Sequence, residues 1–266
     1  MSSPRRSHLP PEILDHTVDF LHDEPGELKQ CCLVSRSWVP RARKHLFADV
    51  EFVSKRSIKA WKKAFPNPSR SPAHYTRKLV ICCVGAVTVE DAQEGGWLHP
   101  FSRVVRLELD LHKIFKPATS LVPFYRFSPS VKSLYVIASG SLPCTQIVHL
   151  VYSLPLLEDL SLTACESDEW DLSPTINLST PPPLTGTLQL CLAEGIGTVA
   201  RQLLDLPNGP RFRKLILLWR RREDLQLTGE LVVACSDVLE CLDVAHCLPG
   251  TITFQSCAKS ATYSGS

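Results

Sequence analysis

The sequence predicts an α/β chain: three short helices in the first fifty residues, then about seven strand-plus-helix or strand-plus-loop units stacked into an irregular solenoid. Three observations predict it. Apolar residues recur at helical spacing between positions 11 and 46. Short apolar-x-apolar strands return about every 27 residues from Leu79 to Val244. A proline- and serine-rich stretch, Pro66 to Pro72, separates the two patterns.

Composition sets the bounds. At 266 residues and 44% hydrophobic content the chain is an ordinary globular protein, long enough to bury a core. Its 29 Lys and Arg against 27 Asp and Glu supply no general attraction for nucleic acid or an acidic membrane. The basic N-terminal residues are not followed by an apolar signal run, and no segment approaches roughly 20 uninterrupted apolar residues. The expectation is a soluble, intracellular protein, cytoplasmic or nuclear. Eleven cysteines are an odd number and include the adjacent pairs Cys31–Cys32 and Cys82–Cys83, which argues against a disulfide framework. Cys241, His246 and Cys247 are spaced five and one apart, a poor match to a zinc tetrahedron. No metal is expected, and most thiols are expected to serve as small buried hydrophobes.

Leu9-Pro10-Pro11-Glu12-Ile13-Leu14 opens the first helix, over about 11–21, because proline's fixed φ suits a first turn. Ile13, Leu14, Val18 and Leu21 make an apolar stripe broader than one small helix needs. Asp23-Glu24-Pro25 starts a second helix, apolar on most sides through Leu28, Cys31, Cys32, Leu33 and Val34, and a third begins after Ser35 or Ser37 with Trp38, Ala42, His45 and Leu46 at helical spacing. Three helices in about forty residues cannot bury that much apolar surface among themselves.

The string LPPEILDHTVDFLHDEPGELKQCCLVSRSWVPRARKHLFADVEF resembles an F-box, above all those of mushroom-forming fungi, in its Leu-Pro-x-Glu-Ile-Leu opening, its Cys-Leu-Val-Ser run and its Ser-x-x-Trp step. The resemblance covers residues 9 to about 47. It implies docking on the small Skp-type adaptor of an SCF-type cullin-RING ubiquitin ligase, with Leu9, Pro10, Ile13, Leu14, Leu33, Val34 and Trp38 as the adaptor-facing and helix-joining set. The competing reading makes them core residues of a domain that docks nothing.

The remainder repeats. Strands beginning at Leu79, Leu107, Leu134, Leu160, Leu188, Leu215 and Leu242 lie 28, 27, 26, 28, 27 and 27 residues apart. Leu157, Leu160, Leu162, Cys165 and Leu239, Leu242, Val244, Cys247 follow the leucine-rich-repeat pattern L-x-x-L-x-L-x-x-N/C closely; the other copies place Thr76, Val104, Val131, Thr185 and Phe212 first. Segments 144–154, 198–206 and 228–238 read as return helices. A strand with every second residue apolar cannot hide that face alone, so the units must stack around one continuous core; a leucine-rich-repeat-like solenoid is the expectation, with a twisted α/β sheet of other connectivity the alternative. The expected division is a disordered N-terminus over 1–8, the F-box over 9–50, a linker helix and loop over 51–75, the solenoid over 76–256 and a polar tail over 257–266. The linker helix, 54–65, is expected to cap the first repeat; Pro174 and Pro181 to Pro183 read as an irregular surface loop.

Motifs of chemistry are weak. Gly195-Ile196-Gly197-Thr198-Val199-Ala200 follows a strand and opens a helix, as a dinucleotide turn would, and Arg220, Arg221 and Arg222 follow the next strand. The turn sits at the fifth of seven in-phase repeats, however, not at the start of a βαβ series. Lys55, Arg56, Lys59, Lys62 and Lys63 read as a solvated face, as do Arg41, Arg43 and Lys44. There is no G-x-S-x-G elbow; Asp168 and Glu169 beside Trp170 lack a partner base, and His149 reads as packed or surface-exposed. The expectation is a non-enzymatic specificity subunit without cofactor. Its first three helices engage the Skp-type adaptor and through it a cullin, and its repeats bind a protein target for ubiquitin-dependent degradation. Target contacts are expected on the concave face from the non-leucine strand positions: Arg106, Glu108, Tyr135, Asp159, Ser161, Gln189, Lys214 and Asp243. A repeat scaffold without ligase activity and a dinucleotide-binding enzyme are the alternatives.

Overall fold

A computed structural model of the chain describes residues 10–111, 121–138, 144–164, 183–192, 196–205, 209–219 and 224–246. Three helices open it: α1 (Pro11–Phe20), α2 (Pro25–Val34) and α3 (Val39–Leu46). Each starts with proline in its first turn, where the missing N–H has no intrahelical partner to lose. The caps differ from the expected ones. Glu24 makes no side-chain cap bond, and Trp38, not a serine, precedes α3; Ser35 and Ser37 instead hydrogen-bond each other in the turn before it. Val18, Leu28, Cys31 and Ala42 form a small core, with Leu21, Cys32, Trp38 and Leu46 packed against it.

The rest is one parallel sheet of eight strands whose spatial order is the order of the chain. The strands are β1 (Asp49–Phe52), β2 (Lys78–Ile81), β3 (Arg106–Asp110), β4 (Ser133–Ala138), β5 (Asp159–Ala164), β6 (Thr187–Leu192), β7 (Lys214–Trp219) and β8 (Cys241–His246). The register pairs Leu79, Leu107, Leu134, Leu160, Leu188, Leu215 and Leu242 in one unbroken column, so the 27-residue period is the pitch of the sheet. The column is buried through Leu215, as is the parallel one from Ile81 to Leu217. Both are roofed by residues of the return segments, among them Leu150 and Val151 of α6 (Cys144–Tyr152), Leu203 of α7 (Ile196–Leu204) and Leu231 of α8 (Asp224–Cys235).

Two expectations change here. The described residues hold eight strands, not seven: β1 straddles the boundary expected between 50 and 51 and places Val50 beside Leu79. Asp-Val-Glu-Phe carries only two apolar residues and lies 29 residues before its partner, which hid it from the leucine pattern. The linker helix, α4 (Lys55–Ala64), is consequently no cap but the return segment between β1 and β2. Ser54 and Ser57 form a capping box at its start. Ile58 is buried, and Trp61 packs edge-on against Phe47 and Phe52, with ring centroids 5.9 and 5.6 Å apart. A second short helix, α5 (Val89–Ala92), follows β2.

Where successive units meet, one carbonyl accepts from two consecutive N–H groups of the next strand's entry; Ala48 O from Arg77 and Lys78 N, and Lys132 O from Glu158 and Asp159 N, are examples. The β5–β6 junction departs from this. Leu184 is buried with φ +43°, in the left-handed region that a branched side chain rarely enters, and its N–H donates to Leu157 O at 3.0 Å. Thr185, which the period placed at the buried position, is only half-buried; the preceding leucine fills the core instead.

Cys31 and Cys235 are buried, Cys32, Cys82, Cys83 and Cys191 half-buried and Cys241 exposed, so of these seven the expectation of a buried small hydrophobe holds for two. Among the described residues no helix is long and apolar enough to cross a membrane. The expected disordered N-terminus, the loop around Pro174 and the polar tail lie outside the described residues.

The buried column makes a residue-specific prediction. Leu160→Ala should destabilise the chain by about 2–5 kcal/mol, whereas Ile137→Ala, on the opposite face and partly exposed, should cost under ~1 kcal/mol. Urea denaturation of the two variants beside the parent measures the difference.

Candidate functional site

Two surfaces gather the residues singled out in the sequence. The first is on the N-terminal helices. Leu33 and Val34, at the end of α2, are 81% and 69% exposed, and Ile13 on α1 is 52% exposed. Leu14 and Trp38 are half-buried, Trp38 against the small core, so it joins helices more than it faces outward. Pro10 is exposed, and its carbonyl accepts from the amides of Ile13 and Leu14. Leu9 lies outside the described residues. Phe20, 74% exposed, is an addition. It stands seven residues after Ile13, two helical turns along the same face, and that spacing was available in the sequence.

The helices beneath this surface are joined by charge. Arg41 of α3 donates to both carboxylate oxygens of Asp19 on α1, and His45 Nε2 donates to Asp19 Oδ1 at 2.7 Å. The Arg41 guanidinium first, and His45 second, hold the Asp19 carboxyl well below the usual carboxylate range.

The second surface is the open face of the sheet, opposite the return helices. Alternation along each strand sends the non-leucine residues there, in rows fixed by the register. One row runs Lys78, Arg106, Ser133, Asp159; Thr187 and Lys214 continue it. The next runs Glu108, Tyr135, Ser161, Gln189 and, two strands on, Asp243. All eight expected positions therefore share one face, but they are not equivalent.

Arg106, Glu108 and Tyr135 form a cluster. The Arg106 guanidinium lies 3.9 Å from the centroid of the Tyr135 ring, and its Nε donates to Glu108 Oε1 at 2.7 Å. Lys78 Nζ reaches the same oxygen at 3.1 Å. Burial raises the Tyr135 phenol above its ordinary pKa, with the Arg106 charge opposing the shift. Lys78 obeys the same strand rule as Arg106, one residue before a column leucine, and belongs with it.

Asp159 and Ser161 do not present themselves as expected. Asp159 Oδ1 accepts from the Thr187 amide at 2.6 Å, and Oδ2 from the Ser133 hydroxyl at 2.9 Å. A Cβ added at Gly186 would stand 2.2 Å from Asp159 Oδ1, so the glycine makes room for the carboxylate. The side chain thus replaces a backbone acceptor at the irregular β5–β6 junction, which makes Asp159 a structural residue first. Ser161 is buried between Tyr135 and Gln189 in its row. Lys214 and Asp243 are exposed and Gln189 half-buried, none in a cluster.

Strand β6 precedes the glycine motif and α7 opens at Ile196, so Gly197 is the second residue of a helix and not a left-handed turn. Gly195, Arg220, Arg221, Arg222, Cys247, Asp168 and Trp170 lie outside the described residues. Among the described residues no group of three His, Cys, Asp or Glu side chains is placed to hold a metal ion. Half-buried His149 has its Nε2 buried without a hydrogen-bond partner among them. No family model matches the chain, and no curated protein or solved structure is significantly similar to it.

Two measurements follow from these contacts. Asp159→Lys leaves the Thr187 amide without its acceptor and should cost about 1–3 kcal/mol, well above the half kcal/mol or so of an ordinary surface change; a thermal melt of the variant checks it. Asp19 has a lowered folded-state pKa, so its stabilisation is complete above the unfolded value of about 4 and is lost as pH falls through the folded value. Asp19→Asn should therefore weaken α1–α3 at neutral pH and shrink the difference from the parent in acid, as read from urea midpoints across that range.

Proposed function

We propose that the chain is an F-box substrate receptor: α1–α3 dock on the Skp-type adaptor of a cullin-RING ubiquitin ligase, and the sheet, read as a leucine-rich-repeat-like solenoid, holds the target. The observation that carries this reading is the exposed apolar set on α1 and α2. A three-helix unit that has closed its own core around Val18 and Leu28 has no folding use for Ile13, Phe20, Leu33 and Val34 on the outside. Large apolar groups left in solvent mark a surface meant to be covered by another protein. These are residues that the F-box resemblance assigns to the adaptor, with Phe20 added.

The role is non-catalytic and intracellular. Holding a target near a ubiquitin-charged enzyme raises the effective concentration of its lysines, and no group on this chain need take part in the bond made. The dinucleotide alternative is disfavoured by topology. A doubly wound sheet binds its cofactor in the crevice where strand order reverses, whereas order here runs from β1 to β8 without reversal.

Leu33→Glu with Val34→Glu separates docking from folding, because both side chains are largely solvated. The double variant should keep the parent's unfolding free energy in urea within about 0.5 kcal/mol per site and lose capture of a purified Skp-type adaptor. Undiminished capture would remove the proposed docking surface.

A further inference from the structure

We infer that the Arg106–Tyr135 cluster is the anchor of the target-binding face, and that it takes a side-chain carboxylate, Asp or Glu, from an extended acidic-and-apolar segment of a partner protein. The inference rests on the proposed receptor role and names the chemistry its open face recognises.

Three features of the cluster point this way. First, Arg106 is already ordered. Its guanidinium sits over the Tyr135 ring, 3.9 Å from the centroid, and its Nε is tied to Glu108, so little side-chain freedom remains to be lost on binding. Second, its two terminal nitrogens make no hydrogen bond among the described residues, while the side chain stays 43% exposed. The outer edge of the guanidinium therefore presents a planar pair of N–H donors, the fork that a carboxylate accepts in bidentate fashion. Third, two cations, Lys78 and Arg106, converge on a single carboxylate, Glu108. These three side chains sum to one positive charge beside the free donors, and Asp49 and Asp159 flank them in the same row, so the fork suits a single carboxylate and not a more highly charged group.

The same surroundings decide between anions. Glu108 remains beside the site, and in the same row as Lys78 and Arg106 stands Asp159, whose charge is felt at Tyr135. A phosphate carrying close to two negative charges would meet that repulsion with only one excess positive charge to offset it. Along β4, two residues beyond Tyr135 on the same face, Ile137 is partly exposed and stands beside Asp110 and Thr163. It offers an apolar side chain of the same segment a place about 7 Å further along the strand direction. The other occupants of an open sheet face, a phosphopeptide or a segment without charge, are outcomes of the test.

The experiment uses the full chain as bait for a phage-displayed library of random dodecapeptides, and fluorescence polarisation of the recovered peptides. The expected result is enrichment of Asp or Glu with a large apolar residue within four positions, and at least tenfold weaker binding of those peptides to Arg106→Gln. Glu108→Gln, which raises the excess charge, should bind the same peptides several-fold more tightly, a gain that misfolding cannot imitate. The inference is overturned if no peptide is recovered, if the recovered peptides lack acidic residues, or if they bind Arg106→Gln within about twofold of the parent. Tighter binding after the acidic residue is replaced by phosphoserine would also overturn it. Adaptor capture, measured on the same preparations, keeps the two proposals apart: its loss in the parent sinks the receptor role, while loss of peptide selectivity with capture intact sinks only this inference.

Discussion

Each strand of the sheet keeps its leucines dry only because the neighbouring strand stands beside it in register, and nearly every other feature of the molecule serves that requirement. Leu107 has Leu79 on one side and Leu134 on the other, and the same holds along the column to Leu215. Burying one such side chain is worth about 1.5–3 kcal/mol. A slip of one residue would turn a whole strand's leucines to the open face. The paired N–H groups received by one carbonyl at the regular junctions fix the entry of the next strand and so protect that register. The constraint also explains where the molecule departs from regularity. At β5–β6 the buried leucine is displaced by one position, and the chain accepts a left-handed Leu184, a glycine at 186 and the Asp159 carboxylate in place of a backbone acceptor. At β8 no ninth strand follows among the described residues, and Leu242 is 47% exposed where its equivalents are buried.

The three N-terminal helices stand outside this scheme. Their core is separate from the sheet's, and they meet it through Phe47, whose carbonyl accepts from the Thr76 hydroxyl at 2.9 Å and whose ring packs on Trp61 and Phe65. From β2 to β7 the return segments cover the sheet's leucine columns, while Leu242 and Val244 of β8 stay partly exposed. The three helices cover only part of their own apolar surface. On the proposed reading, the solvated apolar residues of α1 and α2 serve docking, and the open sheet face, with its ordered polar side chains, serves selection.

The sheet was legible in the sequence because period and alternation state the same physical fact twice. The leucine spacing is the register, and the residues between the leucines are the open face. The limits were local. β1 was hidden because Val50 and Phe52 do not fit a leucine column, and a helix that returns between two strands looked like a cap once the first of those strands was missed. Asp159 was placed on its face by the same rule that placed Glu108. Its commitment to the Thr187 amide depends on the irregular junction at Gly186, which no periodicity announces. On the helices, Leu33 and Val34 were assigned through their likeness to an F-box, and Phe20 was passed over although its spacing from Ile13 put it on the same face.

The account turns on the leftover apolar face of α1 and α2 being a docking surface separate from the sheet. Hydrogen exchange of the full chain with and without a purified Skp-type adaptor addresses it most directly. The account predicts slowed exchange confined to α1, α2 and the turn that joins them, with the amides of β2 to β7 unchanged. Protection that appears in the sheet, or no protection of the helices at saturating adaptor, would contradict it.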